Sequence, residues 1–252
     1  MLDADTSLVG QLALVTGGAL RLGRAVAEAL VEEGAHVVVH YRSSAREADE
    51  TVARLRTKGS EAWALQADLE DPAQAGRLVE RAAEVAGKPV DIVINSASIF
   101  DPSRVLEFDD AELARNIQIN AFAPLQLCRG LAAQNRPGQI INFLDTRMVD
   151  YDREHAAYHL SKRMLHAITR MLALELAPDI RVNAVAPGLI LPPPGKDESY
   201  LAGLVESVPL KRHGSAQDVV RAVRFLLHSD FVTGQVIYLD GGRNLRGNMY
   251  GA

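Results

Sequence analysis

The chain has 252 residues, 48% hydrophobic and 23% charged, with a formal net charge of −5 at pH 7. An acidic balance without a basic run excludes the electrostatic footprint of a nucleic-acid-binding protein. Cys128 is the only cysteine, which excludes an internal disulfide and a thiolate zinc cluster.

The first apolar run predicts a strand over Leu12–Thr16, followed by an amphipathic helix over Leu22–Glu33. The same alternation continues with a strand at His36–His40, a helix at Ala45–Lys58, a strand at Ala62–Gln66 and a helix at Ala73–Val85. A strand at Asp91–Asn95, a helix at Ala111–Ala133, a strand at Gln139–Leu144 and a helix at Ala156–Leu176 come next. Arg181–Ala186, Ala216–Leu227 and Gln235–Leu239 close the series as strand, helix and strand. The strands are nearly continuous apolar runs, as in a parallel sheet with helices on both faces. The expected fold is α/β, a single Rossmann-type doubly wound domain spanning 1–252, with a mostly parallel seven-stranded sheet flanked by helices.

One segment breaks the rhythm. Pro192, Pro193, Pro194 and Gly195 open a stretch running to about Ser207. Proline denies it a strand continuation, and it follows a strand, at the carboxyl edge where ligands bind such sheets. It reads as a surface connection or a substrate lid, and its place favours the lid over 192–207. The start, with Asp3 and Asp5, lacks the basic region of a secretory leader. No segment approaches the roughly 18 uninterrupted apolar residues of a membrane span. A cytoplasmic protein without membrane contact is expected.

The first strand ends in Thr16-Gly17-Gly18-Ala19-Leu20-Arg21-Leu22-Gly23 and runs into a helix. Glycines at this point let the backbone turn tightly and approach a pyrophosphate seated on the helix amides. The second strand ends His40-Tyr41-Arg42-Ser43-Ser44, with no acid between Glu33 and Glu47. An acid there would accept from a ribose 2′-OH, whereas Arg42, with the hydroxyls of Ser43 and Ser44, suits a 2′-phosphate and so NADPH. Tyr158 and Lys162 lie four apart on a helix and share a face, so an ammonium beside a phenol is expected to lower the phenol pKa. His155, His159, His166 and His213 form no convincing ligand set, and no metal is expected.

The glycine loop resembles the Thr-Gly-x-x-x-Gly-x-Gly of the short-chain dehydrogenase/reductase family, with Arg21 in place of the middle glycine. Asp68-Leu69 resembles the family's adenine contact, although Asp68 equally suits a turn cap. Asn95-Ser96-Ala97-Ser98 resembles its Asn-Asn-Ala-Gly, and Pro187-Gly188 its Pro-Gly beside the nicotinamide. Asp240-Gly241-Gly242 completes a likeness along essentially the whole chain. The resemblance implies that Tyr158 donates a proton, that Lys162 tunes it and holds the nicotinamide ribose, and that Asn120 supports the lysine through water. It also implies a homotetramer, with Met164, Leu165, Ile168, Met171 and Leu172 as a stripe shared between core and partner.

Ketone reducers of this family place a serine about 13 residues before the tyrosine; here Asp145 stands there. An ionised carboxylate facing a developing oxyanion raises the barrier, so Asp145 is expected to face proton donors or positive charge, or to be protonated. A pterin ring offers N–H and amino donors. Arg21, Asp145 and Ser98-Ile99-Phe100 together resemble the pteridine reductase branch, which includes trypanosomatid pteridine reductases and bacterial dihydromonapterin reductases. That likeness implies a pterin, or a folate, held by Arg21, Ser98, Phe100, Asp145 and Tyr158, with Phe100 stacked on the ring. Two alternatives stand beside it. One is a 3-oxoacyl thioester or small-ketone reductase, with Thr146 supplying the missing hydroxyl. The other is a non-catalytic NADPH-binding regulator, which would need neither Tyr158 nor Lys162.

Overall fold

The strand β1 (Leu12–Thr16) is buried along its whole length and alternates its side chains between two cores. Ala13 and Val15 join one cluster, while Leu12 and Leu14 join the other. This period of two, apolar on both faces, is what a central strand of a parallel sheet requires. The computed structural model describes residues 8–149, 152–193 and 195–245.

From β1 the chain runs through α1 (Arg21–Glu32), β2 (His36–Tyr41), α2 (Ala45–Thr57) and β3 (Ala62–Gln66). It crosses back through α3 (Pro72–Gly76) and α4 (Leu78–Ala86) to β4 (Ile92–Asn95). Next come α5 (Asp110–Ile117), α6 (Ala123–Ala132) and β5 (Gly138–Phe143). The second half holds α7 (Ala156–Glu175), β6 (Ile180–Pro187), α8 (Glu198–Ala202), α9 (Ala216–His228) and β7 (Val236–Leu239). The strand order is β3-β2-β1-β4-β5-β6-β7, and every pairing is parallel. The order reverses between β1 and β4, so their carboxyl ends splay the following loops apart and open a crevice.

On one face, Val26 and Leu30 of α1 pack with Val219 and Val223 of α9 over β1. On the other, Leu78 and Val79 of α4 meet Leu127 and Leu131 of α6. Each such fully buried aliphatic side chain contributes about 1.5–3 kcal/mol. A third, smaller cluster sits under α7 around Leu144, Met148 and Leu165.

Three predicted elements differ from the observed ones. The single helix predicted over 73–85 is two, because Asp71 caps the N-terminus of α3 and the chain re-enters a helix after Arg77. The helix predicted over 111–133 is interrupted at Gln118–Phe122 by a π turn, a form common at functional sites. The segment over 192–207 contains α8, capped by Asp197, and a 3₁₀ turn at Val205–Ser207. Among the described residues no helix is long and apolar enough to cross a membrane.

Candidate active site

A cleft of about 480 Å³ opens at the β1/β4 reversal. Its floor is the glycine loop. Gly17 has φ +63°, and a Cβ there would press on the backbone of Ala97 at 3.1 Å, so both conformation and proximity call for glycine. A Cβ on Gly23 would run into the carbonyl oxygen of Gly17, so α1 can seat its first turn against the loop only without a side chain there. The N-cap of α1, Leu20, offers no side-chain acceptor, and the first turn holds no acid. The amides at this end are therefore left for an anion, at the point where Leu22 and Gly23 line the cleft.

Two residues outside the predicted site set hold this floor in place. The Thr16 hydroxyl accepts from the amides of Ser96 and Ala97 and donates to the Ile94 carbonyl. His40, 2% exposed, accepts from the Gly17 amide and reaches the Ala67 carbonyl. Thr16 stood within the quoted glycine motif; nothing in the sequence marked His40, because its partners are backbone atoms from two other strands' ends.

Arg42, exposed, lies at the rim of the cleft, as do Asp68 and Leu69. Asp68 also accepts from the Glu70 amide, so the turn-capping reading and the cleft position hold together. Tyr41 and Ser43 are not among the cleft-lining residues. Asn95 turns into the sheet instead, donating to Asn142 at 2.8 Å, and Asn142 in turn donates to Thr169 of α7. Pro187 and Gly188 line the opposite wall, where a Cβ on Gly188 would meet Asp240.

Arg21 has φ +52°, the left-handed region that suits the glycine usual at this position. An arginine there costs about 1–2 kcal/mol. Its guanidinium spans the cleft mouth to donate to the Pro192 carbonyl at 2.7 Å, linking the cofactor loop to the start of the 192–207 segment. Strain held at a binding cleft marks a site where function outweighs backbone comfort.

The candidate catalytic side chains meet between β5 and α7. Tyr158, 6% exposed, donates its phenol proton to Asp145 Oδ2 at 2.8 Å. Asp145 Oδ1 accepts from the Arg147 amide at 2.7 Å, which fixes the carboxylate. Lys162, 2% exposed, donates to the Phe143 carbonyl at 2.7 Å, and its ammonium lies 5.7 Å from the Tyr158 ring centroid. The expected lowering of the Tyr158 pKa by Lys162 is corrected here. Burial first, then the Asp145 charge and its hydrogen bond, raise the phenol well above its ordinary value. Burial also lowers Lys162 to about 8, with Asp145 opposing. Tyr158 is thus a neutral donor, with the proton already aimed along a carboxylate.

Asn120 is held directly by protein groups. Fully buried in the π turn, it accepts from Ser98 Oγ and the Ile99 amide and donates to the Ile99 carbonyl and Ser161 Oγ. Its side chain clamps the loop after β4 to α7, and none of these bonds reaches Lys162. Phe100 lines the cleft and remains 41% exposed, while His155 stacks on it at 3.8 Å and Tyr158 meets it edge-on at 4.7 Å. Thr146 donates to Asp240 Oδ2 at 2.5 Å and does not line the cleft. Among the described residues no group of three or more His, Cys, Asp or Glu side chains is placed to hold a metal ion.

Residues 18–244 match the family model described as enoyl-(acyl carrier protein) reductase. An uncharacterized oxidoreductase of Methylorubrum extorquens is 35% identical over 247 residues, covering 94% of this chain and 99% of its own. The chain belongs to the short-chain dehydrogenase/reductase family. A 3-oxoacyl-[acyl-carrier-protein] reductase of Synechocystis, 31% identical over 94% of this chain and 98% of its own, is another relative. Among solved structures, the alternative dihydrofolate reductase 1 (FolM) of Brucella canis, complexed with NADP, superposes with a TM-score of 0.89. It is 33% identical and covers 97% of this chain and 98% of its own. Tyr158 and Lys162 line the same cleft as the glycine loop.

Proposed function

We propose that this oxidoreductase is an NADPH-dependent reductase of pterins, taking a dihydropterin or a folate of the same ring to the tetrahydro form. The Tyr158–Asp145 hydrogen bond at 2.8 Å carries the reading. A carboxylate at this place repels a developing alkoxide but accepts from the ring N–H and amino groups of a pterin. The ketone alternative needed the Thr146 hydroxyl, which is committed to Asp240. The similarity to the Brucella canis structure with bound NADP supports both cofactor and substrate class.

The cradle fits the dinucleotide. The uncapped amides of α1 receive the pyrophosphate, Arg42 the 2′-phosphate, and Asp68 with Leu69 the adenine. When bound, NADPH supplies the hydride. Tyr158 holds the proton for the accepting ring nitrogen at its Oη, Asp145 orients the ring, and the phenolate left behind takes its proton back from solvent by way of the Asp145 carboxylate. The Lys162 ammonium, buried near the phenol, holds the nicotinamide ribose. Phe100 offers its free surface to the ring, and Ser98 and Arg21 hold its polar edge.

The relatives named as 3-oxoacyl reductases set the second reading. NADPH oxidation followed with a dihydropterin and an acetoacetyl thioester in parallel separates the two. Turnover of the pterin with little of the thioester is expected, and the reverse would overturn the proposal.

A further inference from the structure

We infer that His40 is a positioning residue of the cofactor site, its imidazole setting the Gly17 turn against the end of β3. The inference rests on the cleft being the NADPH site but not on the substrate assigned to it. His40 lies at the end of β2, paired with Leu65 in register. Three bonds meet on this one residue. Its carbonyl accepts from the Gly18 amide at 3.1 Å, its Nδ1 accepts from the Gly17 amide at 3.2 Å, and its Nε2 lies 3.1 Å from the Ala67 carbonyl.

An amide donor at Nδ1 and a carbonyl acceptor at Nε2 are satisfied together by one form only, the neutral ring with its proton on Nε2. An imidazolium would set an N–H against the Gly17 N–H and break that bond. Burial acts in the same direction and brings the pKa to about 4. Asp68 beyond β3 and Arg81 of α4 are the charges acting on the ring, one raising and the other lowering its pKa. The ring thus joins the carboxyl ends of β1 and β3 across β2. The bond to Nδ1 keeps the Gly17 amide satisfied in the turn from which α1 starts, where a Cβ on Gly17 would press on Ala97.

Two amide substitutions separate the two ring nitrogens. His40→Asn places an oxygen where Nδ1 stands and keeps the acceptor for Gly17. His40→Gln reaches Ala67 with an N–H but has no acceptor at the Nδ1 position. NADP⁺ affinity, read by protein fluorescence at pH 7.5, is expected to stay within about threefold of wild type for His40→Asn. It is expected to weaken about tenfold for His40→Gln, the worth of one lost buried hydrogen bond. In turnover, KM for NADPH should rise by a similar factor in His40→Gln while kcat falls less than twofold. Ring ¹⁵N NMR of the wild-type chain should show the Nε2-protonated neutral form at pH 5.5, where a solvent histidine is mostly charged.

Equal affinity in both variants, or an imidazolium at pH 5.5, would overturn the assignment. If His40→Gln does not fold, the His40→Asn affinity and the NMR signature still decide it. A wild-type chain that binds no NADP⁺ would retire the cofactor reading, and the ring spectrum would then test His40 alone.

Discussion

At Asp145 and Tyr158 a single contact decides how the site handles protons. Burial and the adjacent carboxylate both disfavour the phenolate, which keeps Tyr158 in the neutral form that the proposed donor role needs. Replacing Asp145 by Ser restores the hydroxyl of the ketone reducers and removes the acceptor for ring N–H groups. Pterin turnover in Asp145→Ser is expected to fall about 100-fold or more, the lower range for a lost proton-transfer partner; undiminished kcat/KM would remove the role given to the aspartate. Lys162 carries its charge below about 8 and loses it above. The ammonium favours an anionic cofactor, so kcat/KM for NADPH, which reports the free enzyme, should be level below that pH and decline as pH rises through it. A profile flat to pH 10 would contradict this. The tyrosine, the lysine and the aspartate were legible through the resemblance to the short-chain dehydrogenase/reductase motif, since spacing alone would not have singled them out. That the phenol bonds the aspartate rather than answering to the lysine was not legible, since it depends on β5 and α7 meeting at this depth.

At the scale of elements, the junction of the glycine loop with α1 is the most constrained. Gly23→Ala would drive a methyl into the Gly17 carbonyl, and the helix would have to lift from the loop. Overpacking of this kind costs about 1–3 kcal/mol. A lower denaturation midpoint is expected, together with NADP⁺ affinity weakened at least tenfold, since α1's amides would move with the helix. Wild-type affinity in a folded Gly23→Ala protein would show that the amides are not the pyrophosphate seat. The glycines could be read from sequence because only their absence of a Cβ matters. The π turn over Gln118–Phe122 could not, because it sets Asn120 against Ile99 and Ser161, groups from elsewhere in the chain. The split of the 73–85 helix was partly legible, as Asp71 before Pro72 is an N-terminal signature that the apolar periodicity masked.

At the scale of the whole molecule, the stripe on α7 divides. Leu165 is buried, Met164 and Ile168 pack against the core, and Met171 remains 68% exposed, with Leu174 84% exposed beyond it. Phe231, fully exposed after α9, adds apolar surface elsewhere. Apolar exposure of this kind fits an assembly of copies. Light scattering should return four chains per particle, and Leu174→Asp should lower that number without unfolding the chain. A monomeric wild-type protein would retire the expectation.

The sequence by itself determined the strand order of events: seven apolar runs, six helical patterns between them, and a glycine loop after the first strand. These are properties of period and local backbone conformation, written within a dozen residues. It also carried the family resemblance that singles out Tyr158, Lys162 and Asp145, which lie along one strand–helix unit. Only the tertiary structure decided what those residues bond. His40 against Gly17 and Ala67, Arg21 against Pro192, and Thr146 against Asp240 are contacts of residues 23, 27, 171 and 94 positions apart. Such pairings arise from the parallel sheet gathering the carboxyl ends of its strands on one edge, and no local pattern in a single chain encodes which side chains then meet.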